Sequence, residues 1–355
     1  MIRMTNPAPI STVADPFRLD DLLRKIARSF YLTLKVLPAA LREPIGLAYL
    51  LARAADTIAD TALLAPDIRL RHLQALRANI HGGAGSIDIG AALFSNRQGN
   101  SAERELLLHL APAIILLEKQ TDRDRQGIRR VLDTLIQGMV IDLSTFPDEH
   151  SGQIGALQNG AELENYIYHV AGCVGEFWTH ITEAHTPALS HWDHARQVQQ
   201  GIRFGKALQL TNILRDLPRD LRIGRCYLPL EDLTRAGLTP QDLLNPAHAL
   251  HARPLLQKWI NTALEYYHDA EAYTLAIPRR CLRLRLAALW PILIGLHTLA
   301  RLANSHDWLN PQRPVKVNRA TVYRLLALSI PAAGSNILLQ RWFATLHRDI
   351  RSRIA

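Results

Sequence analysis

The sequence is poor in most features that tie a chain to an export route or a stapled scaffold. Its three cysteines, Cys173, Cys226 and Cys281, are too few and too far apart for a disulfide framework or a zinc cluster, which fits a reducing cytoplasm. The N-terminal run Met-Ile-Arg-Met-Thr-Asn-Pro-Ala-Pro-Ile lacks the continuous apolar core of a signal peptide, so no export is expected and residues 1–16 read as a flexible tail. Long apolar runs are missing too. The most hydrophobic stretch, Leu286 to Ala300, contains Pro291 and His297 and is flanked by Arg283, Arg285 and Arg301, so it falls short of the roughly 20 residues of a membrane span and reads as a buried core helix. No Gly-x-Gly-x-x-Gly fingerprint of dinucleotide binding occurs.

Strand-like alternation is almost absent, and apolar residues recur at helical spacing nearly everywhere: Leu19, Leu22, Leu23, Ile26, Phe30, then Leu47, Leu50, Leu51, Ala54, Ile58. The same spacing predicts helices over Pro66–Ile80, Ser101–Glu118, Arg123–Thr145, Glu162–Glu183, Trp192–Leu217, Pro246–Tyr273, Arg279–Asn304 and Arg319–Ile350, the last broken at Pro331–Ser335. No linker or change of composition divides the chain. One all-α domain over 1–355 is expected, although 355 residues exceed the usual single-domain size.

The net charge is +9, but the arginines are scattered along amphipathic helices without the dense block or aromatic interleaving of a nucleic-acid surface. The balance suits phosphorylated small molecules. Its weak attraction to anionic lipid would make any membrane contact of a cytoplasmic protein peripheral.

What the chain does have is a doubled spacing of acids. Asp56 and Asp60 lie four residues apart beside Arg53; Asp216 and Asp220 lie four apart beside Arg215 and Arg219. On a helix such pairs share a face, with Cβ atoms roughly 5 to 6 Å apart. Two unit charges at about 6 Å repel by about 3 kcal/mol at an effective dielectric near 20. A divalent ion reverses that cost. Taken alone, such a pair is more often a solvated helix face or an end-capping feature. Context raises the metal reading: Tyr49, Arg53, Asp56 and Asp60 form one polar stripe, as do Gln209, Asn212, Asp216 and Asp220, each among apolar neighbours. Pro218, between the second pair, is expected to loosen the last helical turn. Magnesium favours such oxygen ligands together with substrate phosphates, and arginines suit the remaining phosphate oxygens.

The ordered motifs resemble the squalene/phytoene synthase family over most of the chain. Arg28-Ser29-Phe30-Tyr31 is similar to the family's opening element, Tyr49 to Asp60 to its first aspartate-rich motif, and Gln209 to Asp220 to its second. Between them, Gln137-Gly138-Met139 with Asp142-Leu143 resembles its central helix. The run Tyr166-Ile-Tyr168-His169-Val170-Ala-Gly172-Cys173-Val-Gly175 resembles its Tyr-x-x-x-Val-Ala-Gly-x-Val-Gly signature. Val315-Lys316-Val317-Asn318-Arg319, Leu289-Trp290-Pro291 and Cys173 to Trp178 are most like bacterial squalene synthases. Two departures stand out: His169 replaces a tyrosine some squalene synthases carry before Val-Ala-Gly, and Arg219 replaces an acid often found in the second motif.

The resemblance implies an isoprenoid-synthase-type helical bundle around one central, elongated apolar cavity. It implies head-to-head condensation of two farnesyl diphosphates to presqualene diphosphate, then NADPH-dependent reduction to squalene. Asp56, Asp60, Asp216 and Asp220 would hold Mg2+, and Arg53, Arg215, Arg225, Gln209 and Asn212 would contact the diphosphates. Arg28 and Ser29 would hold the acceptor's head group, and Lys316, Asn318 and Arg319 would face NADPH. The proton lost on cyclopropane closure is assigned to Tyr168, with Tyr49 or the departing diphosphate as alternatives. A dehydrosqualene or phytoene synthase without the reductive step, or a catalytically inactive scaffold homologue, remains the competing reading.

Overall fold

The computed structural model describes residues 18–27, 30–61, 64–83 and 101–354. Arg28, Ser29 and the expected tail over 1–16 lie outside them. The first part of the chain forms α1 (Leu19–Ile26), α2 (Phe30–Val36), α3 (Ala39–Ala59), α4 (Pro66–Ile80), α5 (Ser101–Leu108), α6 (Leu110–Glu118) and α7 (Asp122–Thr145). A two-residue strand β1 (Gly155–Ala156) leads to α8 (Gly160–Ile167), a π-helical turn over Tyr168–Gly172, and α9 (Cys173–His185). The long α10 (His194–Asp220) is followed by β2 (Arg225–Cys226), α11 (Leu230–Arg235), α12 (Arg253–Ala276), α13 (Leu282–Ala303), α14 (Arg319–Ala332) and α15 (Asn336–Ile354).

Helix α3 is buried on most sides through Leu41, Leu47, Leu50, Leu51, Ala54 and Ile58, each with no exposed surface. Burial of one such leucine contributes roughly 1.5 to 3 kcal/mol. The stripe carrying Tyr49, Arg53 and Asp56 is left partly open. The end of α3 is fixed by the buried Arg69 of α4, which donates to the Ala59 carbonyl at 3.2 Å and to Glu149 at 2.8 Å. A guanidinium at a helix C-terminus both satisfies a free carbonyl and complements the helix dipole. Asp60 caps α3, its amide donating to the Asp56 carbonyl at 2.8 Å.

Helix α10 is the axis of the fold, packed by α9, the π turn, α12 and α13. Asp193 caps its start by accepting from the Arg196 amide at 3.2 Å. The expected disruption at Pro218 does not occur: the helix runs through Asp220 and tightens into a 3-10 turn over Leu221–Ile223. So near the helix end the proline forfeits one ladder bond. Gly224, at φ +83, then turns the chain into β2. β2 pairs in parallel with β1, Gly155 opposite Arg225 and Ala156 opposite Cys226.

The signature glycines serve close approach of helices. A Cβ on Gly175 of α9 would lie 1.8 Å from the Gly201 carbonyl oxygen of α10, and one on Gly205 would lie 2.1 Å from that of Ala171. Helix α13 spans 22 residues inside the helix expected over Arg279–Asn304, and takes in Arg283 and Arg285 beside the most apolar stretch. Its most apolar window is 72% buried in the bundle, as a core helix requires. Arg285 is buried and donates to the Ile277 carbonyl at 2.6 Å and to Asn336 at 2.7 Å.

This packing sets a contrast between two glycines. Gly175→Ala should lose about 3 kcal/mol of stability, at the top of the usual overpacking range. For Gly127→Ala the nearest atom to the new methyl is Phe177 Cε2 at 3.6 Å. That change should be neutral or gain about 0.5 to 1 kcal/mol from helix propensity. Urea unfolding curves of the two variants check this, and equal midpoints would refute the close-approach account.

Candidate active site

Both acidic pairs face one cavity. It has a volume of about 750 Å³ and is walled by the end of α3 (Asp56, Asp60), α7 (Gly138, Met139, Asp142), Tyr166 and Val170, α10 (Gln209, Asn212, Asp216, Asp220), and the β2 segment (Arg225, Tyr227). Glu149 and His150 close one side. The β1–β2 pairing delivers Arg225 and Tyr227 here: the Gly155 amide donates to the Gly224 carbonyl at 2.9 Å and that of Leu157 to Cys226 at 3.2 Å.

Arg225 is the cation shared across the site. It contacts Asp142 at 2.8 Å and Asp60 at 3.7 Å, while the Tyr227 hydroxyl donates to Asp142 at 2.8 Å. Tyr166 stacks on Tyr227 with ring centroids 4.8 Å apart. Burial opposes the Arg225 charge, but Asp142, Tyr227 and Asp60 more than offset it and hold the guanidinium protonated. Burial likewise raises the Asp142 carboxyl, against the pull of Arg225 and the Tyr227 hydroxyl.

The paired aspartates are short of positive charge. Burial, and then the neighbouring Asp60, push Asp56 up to about 7. Burial and then Asp216 push Asp220 up to about 7. The Asp56 side chain is nonetheless 47% exposed. Its open surface faces the cavity, where surrounding protein deprives it of bulk hydration, so the two observations agree. Carboxylates held this way fit a hard divalent cation, which supplies charge that Arg225 alone does not.

The other residues singled out from sequence divide into groups. Gln209 and Asn212 line the acidic cavity. Arg53 lies beside it, paired with Asp56 at 3.5 Å and Glu103 at 3.3 Å. Arg215 hydrogen-bonds Asp216 at 2.9 Å and faces a second cavity of about 310 Å³, lined by Phe30, Leu208, Tyr267, Trp290, Ile294 and Leu326 among others. Tyr49 stacks on Phe30 at 4.7 Å between centroids. Asn212 stands in the wall of both the acidic and the apolar part, which adjoin along α10.

Tyr168 is not brought to the aspartates. Its hydroxyl donates to Glu176 at 3.0 Å in a separate pocket with Cys173, Phe177 and His180, and burial, then Glu176, raise it to about 12. The signal was present in the spacing: Tyr166 and Val170, four apart, share a helix face that excludes Tyr168. Asp142 and Tyr166 were visible only as motif members, and Tyr227 not at all. Lys316, Asn318 and Arg319 are exposed and line neither cavity, and the Asn318 side chain accepts from the Thr321 amide at 2.8 Å as the cap of α14.

The squalene/phytoene synthase family model matches residues 23–321. The chain belongs to that family. Its members condense prenyl diphosphates head to head. Among relatives, the presqualene diphosphate synthase of Zymomonas mobilis subsp. mobilis is 31% identical over 313 residues, covering 85% of this chain and 89% of that protein. A bifunctional lycopene cyclase/phytoene synthase of Gibberella fujikuroi is 32% identical over 252 residues, covering 70% of this chain but only 41% of that longer protein. The fold is that of the solved complex of TcSQS with the ligand BPH1237, with TM-score 0.76, 20% identity, and coverage of 94% of this chain and 91% of the other. An isoprenoid-synthase-type helical bundle is therefore the fold of this chain.

The raised aspartates give a pH dependence with a definite sign. The native state keeps protons on Asp56 and Asp220 up to about 7, whereas an unfolded aspartate releases its proton near 3.8. Stability from these groups is present at low pH and lost as pH rises towards 7. Metal-free protein in chelator should therefore melt at lower temperature at pH 8 than at pH 5.5. Asp56→Asn should reduce that difference, and Mg2+ should restore the melting temperature at pH 8. A melting temperature that climbs from pH 5.5 to pH 8 in chelator would contradict it.

Proposed function

We propose that this enzyme condenses two farnesyl diphosphates head to head to presqualene diphosphate, releasing one diphosphate and one proton. The observation that carries the reading is the meeting of an acidic cavity with an apolar one at Asn212. A diphosphate head suits the first and an isoprenoid tail the second. The relative from Zymomonas mobilis, named for presqualene diphosphate synthesis, supports the same product.

Asp56, Asp60, Asp216 and Asp220 would hold Mg2+, which when bound neutralises the charge developing on the departing diphosphate. The chain's own residues do the rest. Arg225, fixed by Asp142 and Tyr227, presents a permanent charge to a diphosphate oxygen. Arg215, tied to Asp216, stands where head and tail meet. Met139, Val170 and Ile213 exclude water from the allylic cation. As the carbon–carbon bond forms and the cyclopropane closes, a proton must leave. Burial holds the phenols of Tyr166 and Tyr227 well above their ordinary value, so neither supplies a phenolate, and Tyr168 donates to Glu176 in another pocket. The departing diphosphate is the base we assign.

A second reading carries the product on to squalene with hydride from NADPH. One observation favours it: Arg319 precedes Val322 by three residues and Leu326 by seven on α14, and both of those line the apolar cavity. Arg319 and Lys316 would then address the phosphates of the nucleotide, while the Asn318 side chain is already engaged as a helix cap.

Purified protein given farnesyl diphosphate and Mg2+ should yield presqualene diphosphate without reductant. A first product other than presqualene diphosphate, or turnover of longer prenyl diphosphates alone, overturns the reading. Squalene appearing only when NADPH is added supports the second reading, and identical products in both tubes exclude it. Asp56→Ala and Asp216→Ala should each cut the condensation about 10²-fold or more, the scale of losing one electrostatic group from a preorganised site.

A further inference from the structure

The last helix, α15, meets α12 through a group of side chains that the condensation does not use. His268 and Glu271, three residues apart on α12, share a helix face, and His347 reaches them from α15. Nε2 of His347 lies 2.6 Å from Glu271 Oε1, and Nδ1 of His268 lies 3.6 Å from Glu271 Oε2. The two imidazoles stack with ring centroids 4.3 Å apart and planes 14° from parallel. One nitrogen from each ring and one carboxylate oxygen therefore lie within 4.8 Å of one another. Glu271 and His347 are 8% and 5% exposed, and all three side chains line a cavity of about 730 Å³ that is distinct from those holding the acidic pairs and the apolar wall.

A buried carboxylate and one imidazole would make an ordinary hydrogen-bonded pair. Here a second imidazole converges on the same carboxylate, and Nδ1 of His347 is buried with no partner among the described residues, so hydrogen bonding within the group leaves it incomplete. Two imidazole nitrogens and one carboxylate oxygen suit a transition cation such as Zn2+, whereas magnesium takes oxygen ligands. Ligands bound tetrahedrally at 2.0 to 2.2 Å from Zn2+ stand about 3.3 to 3.5 Å apart. The 2.6 Å contact would have to open, and the widest separation would have to close by at most about 1.5 Å, which side-chain rotation supplies.

We propose that His268, Glu271 and His347 bind a divalent transition cation of the zinc class, at a site separate from the acidic pairs. Nε2 of His347, Nδ1 of His268 and one Glu271 oxygen are the protein ligands, and a water from the cavity completes the tetrahedron. The ring protons now directed at the carboxylate move to the opposite nitrogen of each imidazole. Arg351, which donates to His268 Nε2 at 3.4 Å, gives way as that nitrogen gains a proton. Arg348 and Arg351 share the cavity wall and oppose a cation, but both are exposed and screened by solvent, while the Glu271 carboxylate is buried at the ligand position. The ion would act as a clasp between α12 and α15. Tyr267, next to His268 on α12, lines the apolar cavity, so the clasp would also steady one wall of that cavity. The inference is independent of which prenyl diphosphate is used.

The test is titration of the full, chelator-stripped chain with Co2+, a stand-in for Zn2+ whose visible absorption is intense in a tetrahedral site with nitrogen ligands and weak in an octahedral all-oxygen one. Wild-type protein should develop the intense bands at one equivalent, keep them in excess Mg2+, and lose them when Zn2+ is added. His268→Gln, at an exposed position that leaves the Glu271–His347 contact in place, should fold and bind at least tenfold more weakly, the scale of disturbing a metal's ligand environment. His347→Gln should do the same, and should it fail to fold, His268→Gln alone decides. Zn2+ should raise the melting temperature of wild-type protein more than that of His268→Gln. Absence of the intense bands, their displacement by Mg2+, or wild-type affinity in His268→Gln would each overturn the assignment.

Discussion

Two pairs of carboxylates held across one enclosed cavity repel each other, and much of the surrounding structure serves to keep them there. Asp56 and Asp60 come from the end of a helix whose other faces are buried leucine and alanine, anchored at its last carbonyl by Arg69. Asp216 and Asp220 come from the end of α10, which is clasped by the π turn and α9 so closely that Gly175 and Gly201 have no room for a methyl group. Such packing supplies the rigidity against which charge repulsion can be stored. Arg225 relieves part of that repulsion, but burial and the neighbouring carboxylates still raise Asp56 and Asp220 to about 7, a strain that a bound cation would relieve.

The second constraint is the division of labour between two cavities. Charged groups line the first, while Phe30, Trp290, Ile294 and Leu326 dominate the second, and α10 lines them with two adjoining faces that meet at Asn212. Asn212 belongs to both, and Arg215 turns from its carboxylate partner Asp216 towards the apolar side. An amphiphile with a diphosphate head and an isoprenoid tail matches that division in both polarity and order. Hydrophobic walls also make the charged contacts stronger than they would be in water.

Much of the fold was legible in the chain. The helix expected over Arg123–Thr145 is α7 within one residue, and the break expected at Pro331–Ser335 is the turn between α14 and α15. Each acidic pair shares one face of its helix because spacing of four is a local property. What sequence could not give was direction and distant partnership. Nearness to Val-Ala-Gly favours Tyr168, yet of the two tyrosines Tyr166 shares a face with Val170 and the cavity. Arg225 meets Asp142, and Tyr227 meets the same carboxylate, through a pair of two-residue strands too short to show any alternation. Pro218 was expected to loosen a turn that neighbouring packing keeps helical. Lys316, Asn318 and Arg319 belong together as a motif, and the fold sets all three on the surface at the start of α14.

The central claim is that the two acidic pairs act as one cation and diphosphate site. Calorimetric titration of Mg2+ with inorganic pyrophosphate present, into wild-type protein and into Asp60→Asn, Asp216→Asn and the combined variant, tests it directly. If the pairs share one site, either single change should abolish most of the binding and the combination should add little further loss. Two losses that simply add, each leaving the other half of the binding intact, would show two independent sites and contradict the account.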